Sequence, residues 1–324
     1  MSIVLGPNQY GKAEVRLVRV DRDTPRHRIT DLSITSQLRG DFRATHESGD
    51  NTGVIATDTQ KNTMYAFARD GVGSPETFLL RLARHFLAEP QVTGGRWRAE
   101  QYGWERIGTG ADGATGGTSA AAAGHDHAAG HDHAFVRGAA ERRTALVHAD
   151  DAGLTVLAGL SDVTVLKSTG SEFSGFPRDR YTTLPETDDR ILATDVTAWW
   201  RYAPSFADAA GPADYDERFA AVRALLLATF AELHSLALQQ TVFAMGRAVL
   251  EAFGDIAEIR LSCPNNHHFL VDLEPFGLDN PGEVFFAADR PYGLIEAAVQ
   301  RSGAGPDNPD GREHPVWSTI GGFV

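Results

Sequence analysis

The sequence contains a single cysteine, Cys263, and no long apolar run. One thiol cannot form an intrachain disulfide or a cysteine-based metal cluster, and it suits a reducing compartment. No segment approaches the ~20 consecutive apolar residues that a membrane-spanning helix needs. The first residues lack the basic head and apolar middle of a signal peptide, and the final TIGGFV is not a peroxisomal signal. We therefore expect a cytoplasmic protein with no membrane partner.

Basic residues are few relative to acidic ones. The chain has 30 lysines and arginines against 43 aspartates and glutamates, which gives a formal net charge of −13. Because nucleic-acid binding relies on basic surface, this balance argues against a nucleic-acid partner. Hydrophobic residues nevertheless make up 42% of the 324 residues, which is typical of a globular protein with a large core.

Large apolar side chains are missing altogether from one internal segment, residues 108–133, which reads GTGADGATGGTSAAAAGHDHAAGHDH. Such a segment cannot contribute to a core, so we predict a flexible surface insertion inside a hairpin. Its histidines and aspartates could bind Zn²⁺, Ni²⁺ or Cu²⁺. A loop of glycine and alanine does not preorganise such ligands, and we therefore predict no functional metal site.

The rest of the chain falls into two halves with the same order of elements. Segments of alternating polarity, such as AEVRLVRVDR and RTALVHA, predict half-buried antiparallel strands. Helical patterns follow in each half, and one of them begins with Pro75 and Glu76, which favour a first turn. Further strands close each half. The pattern predicts an α+β fold with a duplicated unit, divided into residues 1–140 and 141–324.

A short motif, VIATD at 54–58, returns as ILATD at 191–195. We interpret the first three residues of VIATD as a short strand that ends at Thr57 and Asp58. From these residues alone, two roles are open for Thr57. It caps the following helix by accepting a backbone hydrogen bond, or it takes part in chemistry.

Five segments carry a more specific signal: YGK, ATDTQKNT, LKSTGSEF, DRILATDV and PNNHHF, in this order. Together they resemble the urate oxidases, cofactor-free enzymes of purine breakdown, over nearly the whole chain outside 108–133. The resemblance implies oxidation of urate by O₂ and water to 5-hydroxyisourate and hydrogen peroxide. It implies neither a cofactor nor a metal.

The same resemblance implies a fold and an assembly. Urate oxidases have the tunnelling fold (T-fold), in which tandem α+β units carry helices on one face of antiparallel sheets and assemble into β-barrel rings. The implied protein partner is a second copy of the chain, in a homotetramer with active sites at subunit interfaces. Lys12 and Thr57 would come from one chain, and His267, Arg190 and Gln239 from its neighbour.

Residue roles carry over from the family to the matching positions. Lys12, Thr57 and His267 match a proton-relay triad. The implied substrate contacts are a stacking ring, a guanidinium and an amide that clamp the substrate, a backbone N–H, two residues beside the ring, and an asparagine facing the oxygen and water site. In that order they are Phe173, Arg190, Gln239, Leu238, Thr57 with Asp58, and Asn265.

The chemistry of these side chains fits a flat anionic substrate. The planar guanidinium of Arg190 offers two parallel donors, and Phe173 offers an aromatic face. The amide of Gln239 can donate and accept. If Ser235 is the N-cap of a helix, Leu238 and Gln239 lie in its first turn, where free N–H groups favour an anion.

Considered one at a time, the same residues have ordinary structural explanations. Lys12 shares a predicted strand face with Glu14 and Arg16, which indicates a surface lysine. His267 shares a face with apolar residues, which indicates a core histidine. The ordinary role of Phe173 is a ring in the core, and that of Arg190 is a surface ion pair. Gln239 would fill space beside apolar residues, and Asn265 would lie in a turn.

Two other functions stay open for the whole protein. One is a different purine- or pterin-processing enzyme of the same fold, such as a zinc-dependent one. The other is a purine-binding protein without catalytic activity. Loss of urate absorbance without added metal would favour a urate oxidase. Dependence on zinc would favour the other purine- or pterin-processing enzyme, and binding of urate without turnover would favour a binding protein.

Overall fold

One antiparallel sheet of eight strands organises the described residues, which are 2–107, 133–207, 214–301 and 314–320 of a computed structural model. Each strand pairs with its neighbours in sequence, so β1 and β8 form the two edges of the sheet. The strands are β1 (Tyr10–Asp21), β2 (Arg28–Gly40), β3 (Val92–Arg106), β4 (Phe135–Asp150), β5 (Gly153–Lys167), β6 (Leu192–Tyr202), β7 (Ile256–Leu270) and β8 (Phe285–Gln300).

Helices follow the second and the sixth strand. They are α1 (Arg43–Ser48), α2 (Thr57–Arg69), α3 (Pro75–Leu87), α4 (Pro204–Ala207), α5 (Tyr215–Glu232) and α6 (Leu238–Ala252). Two short 3₁₀ turns, Glu274–Phe276 and Pro315–Thr319, complete the elements of the described ranges. Within those ranges, none of the helices combines the length and the apolar composition that a membrane crossing requires.

The order of elements repeats, with two strands, a set of helices and two strands in each half. This confirms the predicted α+β fold built from a tandem unit. The division predicted between residues 140 and 141 falls inside β4, and the repeat of elements begins again at β5. The predicted hairpin around the insertion is also present, since Arg106 of β3 pairs with Phe135 of β4. Residues 108–132 of the insertion lie outside the described residues.

The core lies between one face of the sheet and the long helices. Ile34 of β2 and Trp97 of β3 are fully buried there, together with Phe78 of α3 and Val242 of α6. Burial of these apolar side chains is the main favourable term for docking the helices. The sheet therefore has a helix-bearing face and a helix-free face.

The helix-free face is partly covered by the described C-terminal residues 314–320. Val316 and Trp317 form a small apolar cluster with Trp199 of β6 and its neighbours on β4 and β5. The indole N–H of Trp317 donates to Oε2 of buried Glu258 at 2.8 Å, so this ring has both an apolar contact and a hydrogen-bond partner.

The interpretation of residues 54–56 as a strand is wrong. They form an extended lead-in to α2, and the N–H of Gln60 already donates to the carbonyl of Ala56 at 3.1 Å. In the second half, the matching ATD lies within β6, where Thr194 pairs with Asn265 of β7. The two copies of the motif are therefore not structural equivalents. Three apolar residues before a polar pair fit both conformations, and long-range contacts decide between them.

Candidate active site

A β-bulge sets the orientation of Lys12 near the start of β1. Lys12 pairs with Ser36 of β2, whereas Val15 pairs with Ile34, so β1 has one extra residue between them. Glu14, within the bulge, has a φ of 55°. An extra residue reverses the alternation of side chains along a strand. Lys12 therefore shares the helix-bearing face with Val15, and the expectation that it shares a face with Glu14 is wrong.

The first residue of α2 is Thr57, and it is not a helix cap. Ala56 occupies the N-cap position, and no side chain accepts a hydrogen bond there. Asp58 does not replace the cap, because its carboxylate binds the side chains of Lys61 and Asn62. The first N–H groups of a helix have no partner within the helix, so those of α2 are available to a ligand.

Lys12, Thr57 and Asp58 form one group on the helix-bearing face. Contacts with Lys61 lower the pKa of the Asp58 carboxyl below its usual value, and the positive charge of Lys12 adds to the effect. The lysine is therefore close enough to the start of α2 to act on it electrostatically. Two side chains that sequence reasoning missed, Tyr10 and Gln60, hydrogen-bond to partners beside this group.

A second group forms where the loop before β6 folds against α6. Arg190 donates its backbone N–H to the carbonyl of Ser171 at 2.8 Å, and Ser171 is bridged to Ser235 just before α6. The guanidinium carbon of Arg190 lies 5.5 Å from the centre of the Phe173 ring. These contacts bring a cation and an aromatic face together at the start of a helix, as the sequence predicts.

The guanidinium of Arg190 is partly buried and incompletely hydrogen-bonded. Within the described part of the chain, its buried Nε atom has no hydrogen-bond partner. Burial also lowers the pKa of Arg190 from its usual value. This environment differs from the surface ion pair that its residue type alone would suggest. A buried donor without a partner costs free energy, which a bound acceptor would recover.

Helix α6 supplies a second uncapped N-terminus. Leu238 and Gln239 are its first two residues, which confirms their predicted position in the first turn. The N-cap is Ala237, without a side-chain hydrogen bond, so the prediction of Ser235 as the cap is wrong. Ser235 instead bonds to the carbonyl of Ala237 and the hydroxyl of Thr241. The side chain of Leu238 is buried and that of Gln239 is exposed.

Asn265 and His267 lie on β7 and share the helix-bearing face with buried Cys263. Asn266 points the other way and donates to Asp195 at 2.8 Å. His267 is half-buried rather than part of the core. Burial lowers its pKa below the usual value, and the nearby charge of Arg190 adds to the effect. The imidazole is therefore close to Arg190 and neutral at physiological pH.

The two groups lie near opposite edges of the sheet. Lys12 and Thr57 lie at the edge strand β1, whereas His267 lies on β7, next to the other edge strand. Six strand spacings separate β1 from β7, or about 29 Å along the sheet at ~4.8 Å per strand. A single chain therefore holds the candidate site residues in two separate groups. No group of three or more potential metal ligands occurs among the residues that the structure describes.

Tandem α+β units on one antiparallel sheet define the class of this protein, and comparison with known proteins agrees. The Uricase family model matches residues 8–148 and 156–296, so the chain belongs to the uricase family. The uricase of Arthrobacter globiformis is 57% identical over 322 residues, covering 99% of this chain and 96% of the relative. The uricase of Dictyostelium discoideum is 33% identical, covering 91% of this chain and 96% of the relative.

Solved structures of the family share the fold. The crystal structure of the Arthrobacter globiformis uricase is 57% identical in sequence and matches with a TM-score of 0.84 over 98% of this chain and all of that one. A uricase from Bacillus fastidious matches at 25% identity with a TM-score of 0.73, covering 90% of this chain and 93% of that one.

Proposed function

We propose that this chain is a urate oxidase, which oxidises urate with O₂ and water to 5-hydroxyisourate and hydrogen peroxide without a cofactor. The single observation that carries the proposal is the group formed by Arg190, Phe173 and the uncapped start of α6. A guanidinium whose buried Nε has no partner among the described residues, an adjacent aromatic face and an uncapped helix start together fit a flat, anionic, hydrogen-bonding ring.

In this proposal the α6 group binds urate. Arg190 donates to one edge of the ring, Gln239 pairs with another, and the backbone N–H of Leu238 points at a ring oxygen from the helix terminus. Phe173 stacks on the ring. Asn265 faces the oxygen and water site from β7. Fixing the ring in this way leaves the reacting carbon at a defined distance from O₂.

The α2 group moves protons in the same proposal. Lys12, as the free amine, takes up a proton from urate through the Thr57 hydroxyl and becomes an ammonium, and the backbone N–H groups of Thr57 and Asp58 hold the substrate edge. His267 is neutral near physiological pH, so it can take up a proton from the attacking water. The urate dianion supplies two electrons to O₂, which leaves as hydrogen peroxide, and water supplies the hydroxyl group of the product.

A complete site then needs two chains, and we propose a homotetramer. Lys12 and Thr57 from one subunit would meet Arg190, Gln239 and His267 from its neighbour. Unpaired sheet edges support such an assembly, because an edge strand is a template for pairing. Two large side chains of the edge strand β8, Phe286 and Leu294, are also 62% and 58% exposed. A cytoplasmic location stays a prediction.

The experiment that tests this function follows urate absorbance in purified protein without added metal or cofactor. Urate should disappear while O₂ is consumed and peroxide appears in equal amounts, and a chelator should not slow the reaction. Binding of urate without turnover would overturn the proposal, and so would activity that chelation abolishes and zinc restores.

A mixing experiment tests the shared site. The Lys12→Met and His267→Ala variants should each lose most of their activity, and mixed oligomers of the two should recover part of it. Mixed oligomers that form but stay inactive would contradict a site built from two chains.

A further inference from the structure

Helix α2 begins without a side-chain cap, yet its first residue, Thr57, has to meet Lys12 of a neighbouring strand. An uncapped helix end frays more easily than a capped one. Something other than a cap must therefore fix Thr57. The described contacts around α2 supply two hydrogen bonds that do so, one on each side of this residue.

The first bond comes from Tyr10. Its hydroxyl oxygen accepts the backbone N–H of Ile55 at 2.9 Å, two residues before Thr57. The ring is held in turn by an edge-to-face contact with buried Phe42, with 4.7 Å between the ring centres. Tyr10 and Lys12 lie on the same face of β1, so one strand end carries the lysine and the group that fixes the approach to Thr57.

The second bond involves Gln60, three residues after Thr57 and on the same side of α2. Its Oε1 accepts the hydroxyl of Ser36 at 2.9 Å, and both side chains are fully buried. Ser36 is the direct partner of Lys12 on β2. This bond therefore ties the first turn of the helix to the position opposite the lysine.

Gln60 is a costly way to fill the core. Its Nε2 is buried and has no partner in the described part of the chain. A buried amide with unpaired donors destabilises the folded state, and an apolar side chain of similar volume would not. Leucine or methionine at this position would remove that cost but would leave the buried Ser36 hydroxyl without its acceptor.

We propose that Tyr10 and Gln60 are positioning residues, which hold the start of α2 so that the Thr57 hydroxyl faces Lys12. The inference rests on the proposed function, in which Thr57 relays a proton. Neither residue touches urate. Both act through Thr57, so removing either bond lowers kcat by letting the hydroxyl leave its reactive orientation.

The test uses Tyr10→Phe and Gln60→Met, with Tyr65→Phe as a matched control. The hydroxyl of Tyr65, on α2, also donates to a backbone carbonyl of β1, that of Arg16. Tyr65 lies two turns further along the helix than Thr57. Tyr10→Phe and Gln60→Met should each lower kcat by roughly five- to fiftyfold. Tyr65→Phe should keep kcat within about twofold of the unchanged protein.

Two readouts separate positioning from general support of the fold. In a Thr57→Ala background, Tyr10→Phe should lower kcat no further, because the group that it positions is already gone. Gln60→Met should change the melting temperature little while turnover falls, because removal of the unpaired Nε2 offsets the loss of the acceptor for the Ser36 hydroxyl. Unchanged kcat in both variants, an equal loss in Tyr65→Phe, or an undiminished loss in the Thr57→Ala background would overturn the inference.

Amide hydrogen exchange of residues 55–60 provides a readout that does not depend on urate. Exchange there should be faster in Tyr10→Phe than in the unchanged protein and in Tyr65→Phe. If the unchanged protein does not consume urate, the proposed function fails. If it consumes urate but neither kcat nor exchange responds to Tyr10→Phe, only the positioning inference fails.

Discussion

Helices α3 and α5 have side-chain caps at their N-termini, whereas the N-cap residues of α2 and α6 are alanines and form no side-chain cap. In α3 the hydroxyl of Ser74 accepts the N–H of Thr77 at 3.2 Å. In α5 the carboxylate of Asp214 accepts the N–H of Glu217 at 2.9 Å. These four are the long helices of the described residues, with 13 to 18 residues each. Caps of this kind are worth about 1 kcal/mol, so α2 and α6 forgo a stabilisation that α3 and α5 have.

The capped ends also meet at one arginine side chain, Arg143. Glu76, in the first turn of α3, and Asp216, in the first turn of α5, both bind the guanidinium of Arg143 on β4. Burial raises the pKa of Glu76 to about 7, although the charge of Arg143 opposes the rise. The first turns of both capped helices thus pair with the same arginine, through buried Glu76 and exposed Asp216. The uncapped helices have no side-chain cap hydrogen bond, and in the proposed function their first N–H groups bind the anionic substrate.

The largest expected effect comes from the first residue of an uncapped helix. Thr57→Ala should lower kcat by roughly ten- to a thousandfold, because the hydroxyl relays a proton. The melting temperature should hardly change, since no cap is lost. Lys12→Met should act similarly, and the double variant should be scarcely worse than either single one. Steady-state kinetics and thermal melts check this. Additive losses in the double variant would contradict a shared proton relay of Thr57 and Lys12. A lower melting temperature with normal kcat in Thr57→Ala would indicate that Thr57 has only a structural role.

The next effect concerns the cation beside α6. Arg190→Lys should raise KM for urate by roughly ten- to a hundredfold, because an ammonium cannot reproduce two parallel donors. Arg247→Lys is the matched control, since Arg247 is an exposed arginine of α6 that pairs with Glu251. Its KM should stay unchanged. Equal KM values for the Arg190→Lys and Arg247→Lys variants would contradict the proposal that Arg190 binds urate.

Adding caps should erase the difference between the helices. Ala56→Asp and Ala237→Asp should each raise the free energy of unfolding by about 1 kcal/mol, because the new carboxylate accepts the free N–H groups. The same carboxylate should raise KM roughly three- to tenfold by occupying those groups and repelling an anion. Ser74→Asp, at an end that is already capped, should leave KM unchanged. More stable variants with an unaltered KM would show that the uncapped ends bind nothing.

Removing caps should have the smallest effect. Ser74→Ala and Asp214→Ala should each lower the free energy of unfolding by about 1 kcal/mol, measured by chemical denaturation. Both variants should keep kcat and KM within about twofold, since α3 and α5 supply no predicted site residue. A loss of activity as large as that of Thr57→Ala would contradict the separation of structural and site helices.

Local chemistry made much of the fold predictable. Alternating polarity indicated the strands, Pro75 and Glu76 marked the start of α3, and the absence of large apolar side chains placed the insertion in the hairpin between β3 and β4. The candidate site residues follow only from the joint order of the motifs, since each of them has an ordinary structural explanation on its own. Leu238 and Gln239 were correctly expected in a first helical turn.

Contacts between distant residues were not predictable. Alternation carried straight through β1 puts Lys12 on the wrong face, because Ala13 and Glu14 have no feature that marks a bulge. Ser235 has the residue type of a cap, but its hydroxyl has other partners. The strand predicted at residues 54–56 failed because its partner is a single tyrosine hydroxyl, 45 positions away in sequence.

The bulge in β1 makes the site depend on residue count as well as on residue type. The number of residues between Lys12 and Val15 decides whether Lys12 faces the helices. Adding or removing one residue there would move Lys12 to the other face of the strand. An evolutionary deletion at Ala13 would leave every predicted site residue in the sequence and still turn the lysine away. Selection should therefore act against length changes between Lys12 and Val15 more strongly than against changes of residue type there.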